Sequence, residues 1–147
     1  MPKLTFPVSP TGLVCNVLIG LDGKTTAALV AAGQPVAPPI ACRGLVDTGT
    51  DVTCVASGVL RQLGLNQPIA QTTTQTASGA SPANLYEVSL SVLDRANQPG
   101  PKLLHPNVLT MELPAVLAGV DVLLGLDILL TARLIIDGPG GIFLLEF

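Results

Sequence analysis

Asp47, Thr48 and Gly49 follow the apolar run Ile40 to Val46, so a carboxylate stands where a strand ends and a tight turn begins. A carboxylate so placed can accept or deliver a proton. The Thr hydroxyl beside it can bond across to backbone, and Gly allows a substrate or a second chain to approach closely. Alone the triplet is weak, since average composition puts Asp-Ser/Thr-Gly in roughly one chain of this length in fifteen.

Other residues invite chemistry and fall short of it. Gly23-Lys24-Thr25 ends like a phosphate-binding loop, but the position five residues before Gly23, where that motif needs Gly, is Leu18. Asp22-Gly23 reads instead as a hairpin turn pair. His105 stands before Pro106 in an apparent loop, and nothing in the sequence brings it to a cysteine, so it reads as a surface histidine. No Gly-x-Ser-x-Gly elbow occurs. Cys15, Cys42 and Cys54 lack Cys-x-x-Cys spacing, and with a single His they are too few for a zinc site. Each lies among apolar residues and reads as a small buried hydrophobe in a reducing compartment. Neither a metal nor a cofactor is called for.

The elements that position Asp47 must be short. Of 147 residues, 48% are hydrophobic and 12% charged, which excludes a disordered tail and fits one domain. Aromatics are 3% with no Trp, so the core is aliphatic, and Gly 15 with Pro 13 implies many tight turns. Net charge is −3, and the basic residues form no run, which excludes nucleic-acid binding. The start, Met-Pro-Lys-Leu-Thr-Phe-Pro, has prolines where a signal peptide needs an unbroken apolar helix. Ala118 to Ile136 carries Asp121, Asp127 and Arg133, each costing about 2.5–3.5 kcal/mol at a bilayer centre. A soluble, cytoplasmic protein with no membrane association is expected.

Period-two patterning, short apolar runs and, at Gln71 to Ala77, a high Thr content predict strands at Leu13 to Ile19, Ile40 to Val46, Val52 to Val55, Gln71 to Ala77, Leu85 to Leu93, Val108 to Leu113 and Val120 to Leu124. Thr25 to Ala32 is read as the return strand of a hairpin turning at Asp22-Gly23, and Gln34 to Pro39 as a Pro-rich connection. Ser57 to Leu63 has helical spacing with Gly64 as its stop, and Asp127 to Ala132 suits a second short helix. Ser78 to Pro82 forms the flexible tip of a long hairpin, and Ala96 to Pro101 another turn. Leu134 to Ile136 and Ile142 to Phe147 pair around Asp137-Gly138-Pro139-Gly140-Gly141. The expectation is an all-β, barrel-like domain with one or two short helices.

A second segment raises the weight of Asp47. Val120-Asp121-Val122-Leu123-Leu124-Gly125-Leu126-Asp127-Ile128-Leu129 is a buried strand, a Gly and a short helix. Together with Asp47-Thr48-Gly49 it resembles the retropepsins, the single-lobe aspartic proteases of retroviruses and their cellular relatives. In that family a strand, an apolar pair, Gly, any residue, Asn or Asp and a second apolar pair pack behind the catalytic Asp-Thr-Gly. Leu-Leu-Gly-Leu-Asp-Ile-Leu is especially similar to the retropepsin domain of the ubiquitin-pathway shuttle proteases. Asp51 and Thr53 follow the retroviral pattern Asp-Thr-Gly-Ala-Asp-Asp-Thr, and the Ser78-Gly79 hairpin lies where the family carries its flap. The resemblance covers about residues 40 to 147, with Leu13 to Ile19 as the family's early strand. It departs at Leu126, where retroviral enzymes have a dimer-tying Arg, and at Gly23 to Pro39, which is longer than the viral form.

The resemblance implies one retropepsin-like domain over 1–147, a closed barrel acting as a two-fold homodimer on a peptide or protein substrate. There is one Asp-Thr-Gly and no second copy. Two carboxylates that share a proton then require two chains, each contributing Asp47. Thr48 is implied to brace the paired turns, and Gly49 to accept a hydrogen bond from the substrate backbone through its carbonyl. Asp51 binds substrate main chain, Ser78, Gly79 and Ala80 close as the flap, and Leu45 favours apolar side chains beside the cleaved bond. Leu4 to Phe6 and Ile142 to Phe147 are expected to interleave at the dimer interface. The alternative is a catalytically silent dimer of the same fold that binds extended peptides.

Overall fold

In the computed structural model, which describes residues 1–94, 99–113 and 117–147, β2 (Val14–Leu21) sends Cys15, Val17 and Ile19 inward on alternate positions. Its antiparallel neighbours are β3 (Ile40–Val46) on one side and β6 (Gly79–Leu93) on the other. From β3 the sheet continues through β8 (Val122–Leu124), β4 (Cys54–Ala56) and β7 (Lys102–Leu113) to β6. The β2–β6 pairing therefore closes a six-stranded barrel, and closure removes the exposed edges an open sheet would present. Val17, Ile19, Val55, Val88, Leu90, Val92, Val122 and Leu124 fill the interior.

β5 (Ala70–Thr76) extends β6 outward as a hairpin. The tip is shorter than expected. Thr76 pairs with Gly79 across a two-residue turn, and residues 79–82 belong to β6 instead of the tip. Gly79 takes φ +114, a conformation that favours Gly.

Three short helices occur among the described residues, against one or two expected. The extra one is α1 (Gly23–Ala31), where the return strand Thr25 to Ala32 was predicted. Asp22 caps it: Oδ1 accepts from Thr25 N at 2.9 Å and Oδ2 from the Thr25 hydroxyl at 2.6 Å. Such a cap contributes about 1 kcal/mol, and the alanines of this segment favour a helix. Gly33, at φ +67, ends α1 with its N–H on Val30 O, while Gln34 N reaches Leu29 O. α2 (Ser57–Gln62) stops at Gly64, as predicted, and α3 is confined to Leu126–Leu129. Of the turn expected over Ala96 to Pro101, residues 96–98 lie outside the described residues, and Pro99 and Gly100 form a bend.

β7 also starts earlier than its predicted Val108. His105, read as a loop residue, is within the strand opposite Leu90. The register slips between Val88 and Leu90, so Pro106, which has no N–H to donate, sits at a bulge.

A second sheet packs below the barrel in the order β1 (Lys3–Pro7), β10 (Ile142–Glu146), β9 (Arg133–Asp137), all antiparallel. Leu4, Phe6, Phe143 and Leu145 are buried on one face, with the Phe6 and Phe143 rings stacked at 5.1 Å. The terminal segments thus pair with each other inside one chain. β10 has both edges occupied and cannot interleave with a partner unless those pairings break.

Candidate active site

β3 delivers Asp47 to the end of the barrel between two neighbours. Val46 N donates to Leu13 O at 2.9 Å, and Asp47 N donates to Leu124 O at 3.0 Å. The chain then turns tightly, and the turn folds back on the carboxylate. Gly49 N donates to Asp47 Oδ1 at 3.0 Å, and the Thr50 hydroxyl donates to Oδ2 at 2.8 Å. Both oxygens are held, which fixes the carboxylate plane, yet each keeps acceptor capacity for an outside group. Asp47 is half-buried, and Thr48 and Gly49 are exposed.

The floor of the turn comes from the second motif. Leu126 N donates to Thr50 O at 2.8 Å and Asp127 N to Asp51 O at 3.1 Å. Thr53 is fully buried; its hydroxyl donates to Asp127 Oδ1 at 2.7 Å and accepts from Gly125 N at 3.1 Å. Asp127 also accepts from Thr53 N, at 3.1 and 3.0 Å to its two oxygens. Gly125 is required by space: a Cβ there would lie 2.8 Å from Thr50 O and 2.9 Å from the carbonyl carbon of Val52, backbone atoms that cannot swing away. Gly125→Ala is expected to destabilise by about 2–3 kcal/mol, read as a lower urea midpoint at unchanged slope.

Of the predicted residues, Asp47, Thr48, Gly49 and Asp51 lie on this one turn, with Asp51 exposed. Leu45 is half-buried on β3 opposite Val14, with its side chain against Gly12. Ser78, Gly79 and Ala80 are exposed on a separate element, the tip of the β5–β6 hairpin. Sequence reasoning missed Thr50, and it matched Thr53 and Asp127 to the family's motifs without the bonds between them. A hydroxyl three residues after an Asp was the available sign for Thr50, as such pairs bond locally in turns.

The other chemistry-bearing groups are not among the side chains that bond to Asp47. Burial pushes the Cys15 thiol up to about 12. Burial and then the Asp121 charge put Cys42 at about 12, and burial followed by the charges of Asp127 and Asp47 puts Cys54 at about 11. All three stay protonated near neutral pH and offer no thiolate. Burial lowers the pKa of His105, the Asp127 charge opposing it, and its Nε2 lies 3.1 Å from the Thr131 hydroxyl, not near a cysteine. Among the described residues no group of three or more His, Cys, Asp or Glu could hold a metal, and no helix is long and apolar enough to cross a membrane.

No protein-family model and no curated protein sequence matches the chain. Solved structures do. The retropepsin-like aspartic protease from Rickettsia conorii superposes with a TM-score of 0.60 at 17% identity, covering 97% of this chain and 89% of that one. The Simian Foamy Virus (mac) protease gives 0.45 at 16% identity, over 79% of this chain and 90% of its own. With the closed barrel, the terminal sheet and the Rickettsia likeness spanning almost every residue, the chain has the retropepsin-like fold.

Proposed function

We propose that the chain is an aspartic endopeptidase, one domain over residues 1–147, in which two copies each contribute Asp47 to a shared dyad. The observation that carries this reading is the carboxylate itself, held through both oxygens at a strand end yet open to an incoming group. One Asp takes a proton from a water molecule while the resulting hydroxide bonds to the peptide carbonyl carbon. The other Asp gives its proton to the carbonyl oxygen, forming a tetrahedral diol. Collapse moves a proton to the amide nitrogen, breaks the C–N bond and releases a carboxylic acid and an amine.

Thr48, exposed on the turn, braces the two turns across the two-fold axis. The Gly49 carbonyl and Asp51 hold the substrate main chain. Leu45 lines the pocket for an apolar side chain, and Ser78, Gly79 and Ala80 close over the peptide. The three free thiols fit a reducing, cytoplasmic setting. No group in this mechanism needs a cofactor.

The test is cleavage of a mixed peptide pool from about pH 3 to 9. Two carboxylates about 3 Å apart keep one proton between them, so the pair's second macroscopic pKa is raised. Below the first pKa the base is protonated, and above the second the acid is lost. The expected profile is a bell with an acidic maximum. A rate climbing steadily to alkaline pH, or no cleavage at any pH by a proven dimer, rejects the reading; the second result is that of a peptide-binding dimer.

A further inference from the structure

Between α1 and β3 the chain runs Gln34-Pro35-Val36-Ala37-Pro38-Pro39, a segment that the catalytic reading does not use. Its sequence leaves it little choice of conformation. Each Pro fixes its own φ at about −65°, and a residue before Pro is pushed to extended backbone. Gln34, Ala37 and Pro38 all precede a Pro, so Val36 alone escapes both constraints. Polyproline II backbone follows, and no helix or strand forms over residues 35–39. Among the described residues, no hydrogen bond ties residues 35–39 to the rest of the chain, as that solvated backbone requires. Both ends are fastened nonetheless. Gln34 N donates to Leu29 O at 2.9 Å, and Ile40 pairs with Ile19.

A polyproline II helix has about three residues per turn, so every third side chain shares a face. Ala37 and Ile40 lie three apart, and both pack against the hydrophobic core, which sets the inward face. Pro35 and Pro38 then form one outward ridge, and Val36 and Pro39 form a second. All four are exposed. No charged residue occurs between Lys24 and Arg43, so the two ridges are apolar and neutral.

We propose that this strap is a docking ridge for a protein module whose groove is lined with aromatic side chains and reads polyproline II backbone. Such grooves take Pro-x-x-Pro segments, and Pro35-Val36-Ala37-Pro38 has that spacing, with its prolines about 9 Å apart. The inward face is occupied by this chain's own core, and the two ridges left outside are the surface a groove needs. Unbonded carbonyls along the strap can accept from Trp N–H or Tyr O–H groups of the partner. Fastened ends mean that little chain entropy is lost on docking. The absence of charge on the strap makes the matching groove aromatic and uncharged where the two meet. Nothing in this inference depends on Asp47.

The probes are purified SH3, WW and EVH1 domains, each isotope-labelled and titrated with the unlabelled full chain. At least one is expected to bind through its groove, with indole N–H resonances shifting and affinity nearly constant from about 0.05 to 0.5 M salt. Pro35→Ala combined with Pro38→Ala flattens one ridge and is expected to weaken binding about tenfold or more. Val36→Glu puts a charge on the other ridge and is expected to do the same. These side chains are exposed, so both variants should melt close to the parent. A synthetic peptide of residues 33–41 should compete for the same groove, a readout that alters nothing in the folded chain. No binding by any of the three domains at about 1 mM chain, equal binding by parent and both variants, or failure of the peptide to compete overturns the ridge. Asp47→Asn is expected to bind the domain as the parent does, so the ridge and the catalytic reading fail separately.

Discussion

Asp47→Asn lowers the rate of peptide cleavage by about 10⁴-fold and leaves the melting temperature close to that of the parent. Asn has the same shape as Asp, and its side-chain oxygen can still accept the Gly49 N–H. On the other side its amide nitrogen faces the Thr50 hydroxyl, which rotates from donor to acceptor, so the turn survives. What the amide cannot do is hold or share a proton. In a homodimer both halves of the dyad change at once, so no unaltered carboxylate remains to activate water. The measurement is kcat/KM on a peptide cut by the parent, with a thermal melt in parallel. A folded variant that cuts as fast as the parent removes Asp47 from the chemistry.

Deleting residues 142–147 abolishes cooperative folding. Phe143 and Leu145 are both fully buried, and truncating one such side chain costs about 2–5 kcal/mol. The deletion removes both, and it also takes away the only strand partner that β1 and β9 have among the described residues, uncovering Leu4 and Phe6. Against a total stability of about 5–15 kcal/mol, the sum leaves no folded state. Far-UV circular dichroism through a urea titration should show no sigmoidal transition. Any loss of the dimer in this variant follows from unfolding. A truncated chain that still melts cooperatively would show the terminal sheet to be an accessory.

The strands that face one filled core were legible because their side chains alternate. β2 and β6 read directly from period two, and the strand–Gly–helix segment behind Asp47 was visible as a long-range companion to Asp-Thr-Gly. Pattern alone failed where two local meanings compete. Asp22-Gly23 is a turn pair and also the start of a capped helix, and only the bonds from Asp22 to Thr25 decide for α1. Lys102 to Asn107 has neither alternation nor a tolerable place for Pro106 until a bulge in β7 supplies one. Alternation also says that a segment is a strand without saying which edge it meets. The family resemblance implied that β1 and β10 reach for a second chain, and within one chain they meet each other. The Thr53–Asp127 braces were hidden because hydrogen bonds between distant polar side chains leave no periodic trace.

Those braces also govern when the Asp47 turn comes into being. Thr53 and Asp127 are 74 positions apart, and Gly125 reaches back 72 to Thr53. Closing a loop of that length costs about 4 kcal/mol of chain entropy before any contact compensates. Pairings between such distant segments are intrinsically slow to form. Until they close, β3 ends in a carboxylate with no floor beneath it. Unfolded and half-folded neighbours are the easiest polypeptide to cut, and they are most abundant while a chain is still folding. Under the proposed function the wiring of Asp47 through Gly125 and Asp127 delays proton transfer until the barrel is complete, so the fold acts as a timer that protects nascent copies from one another.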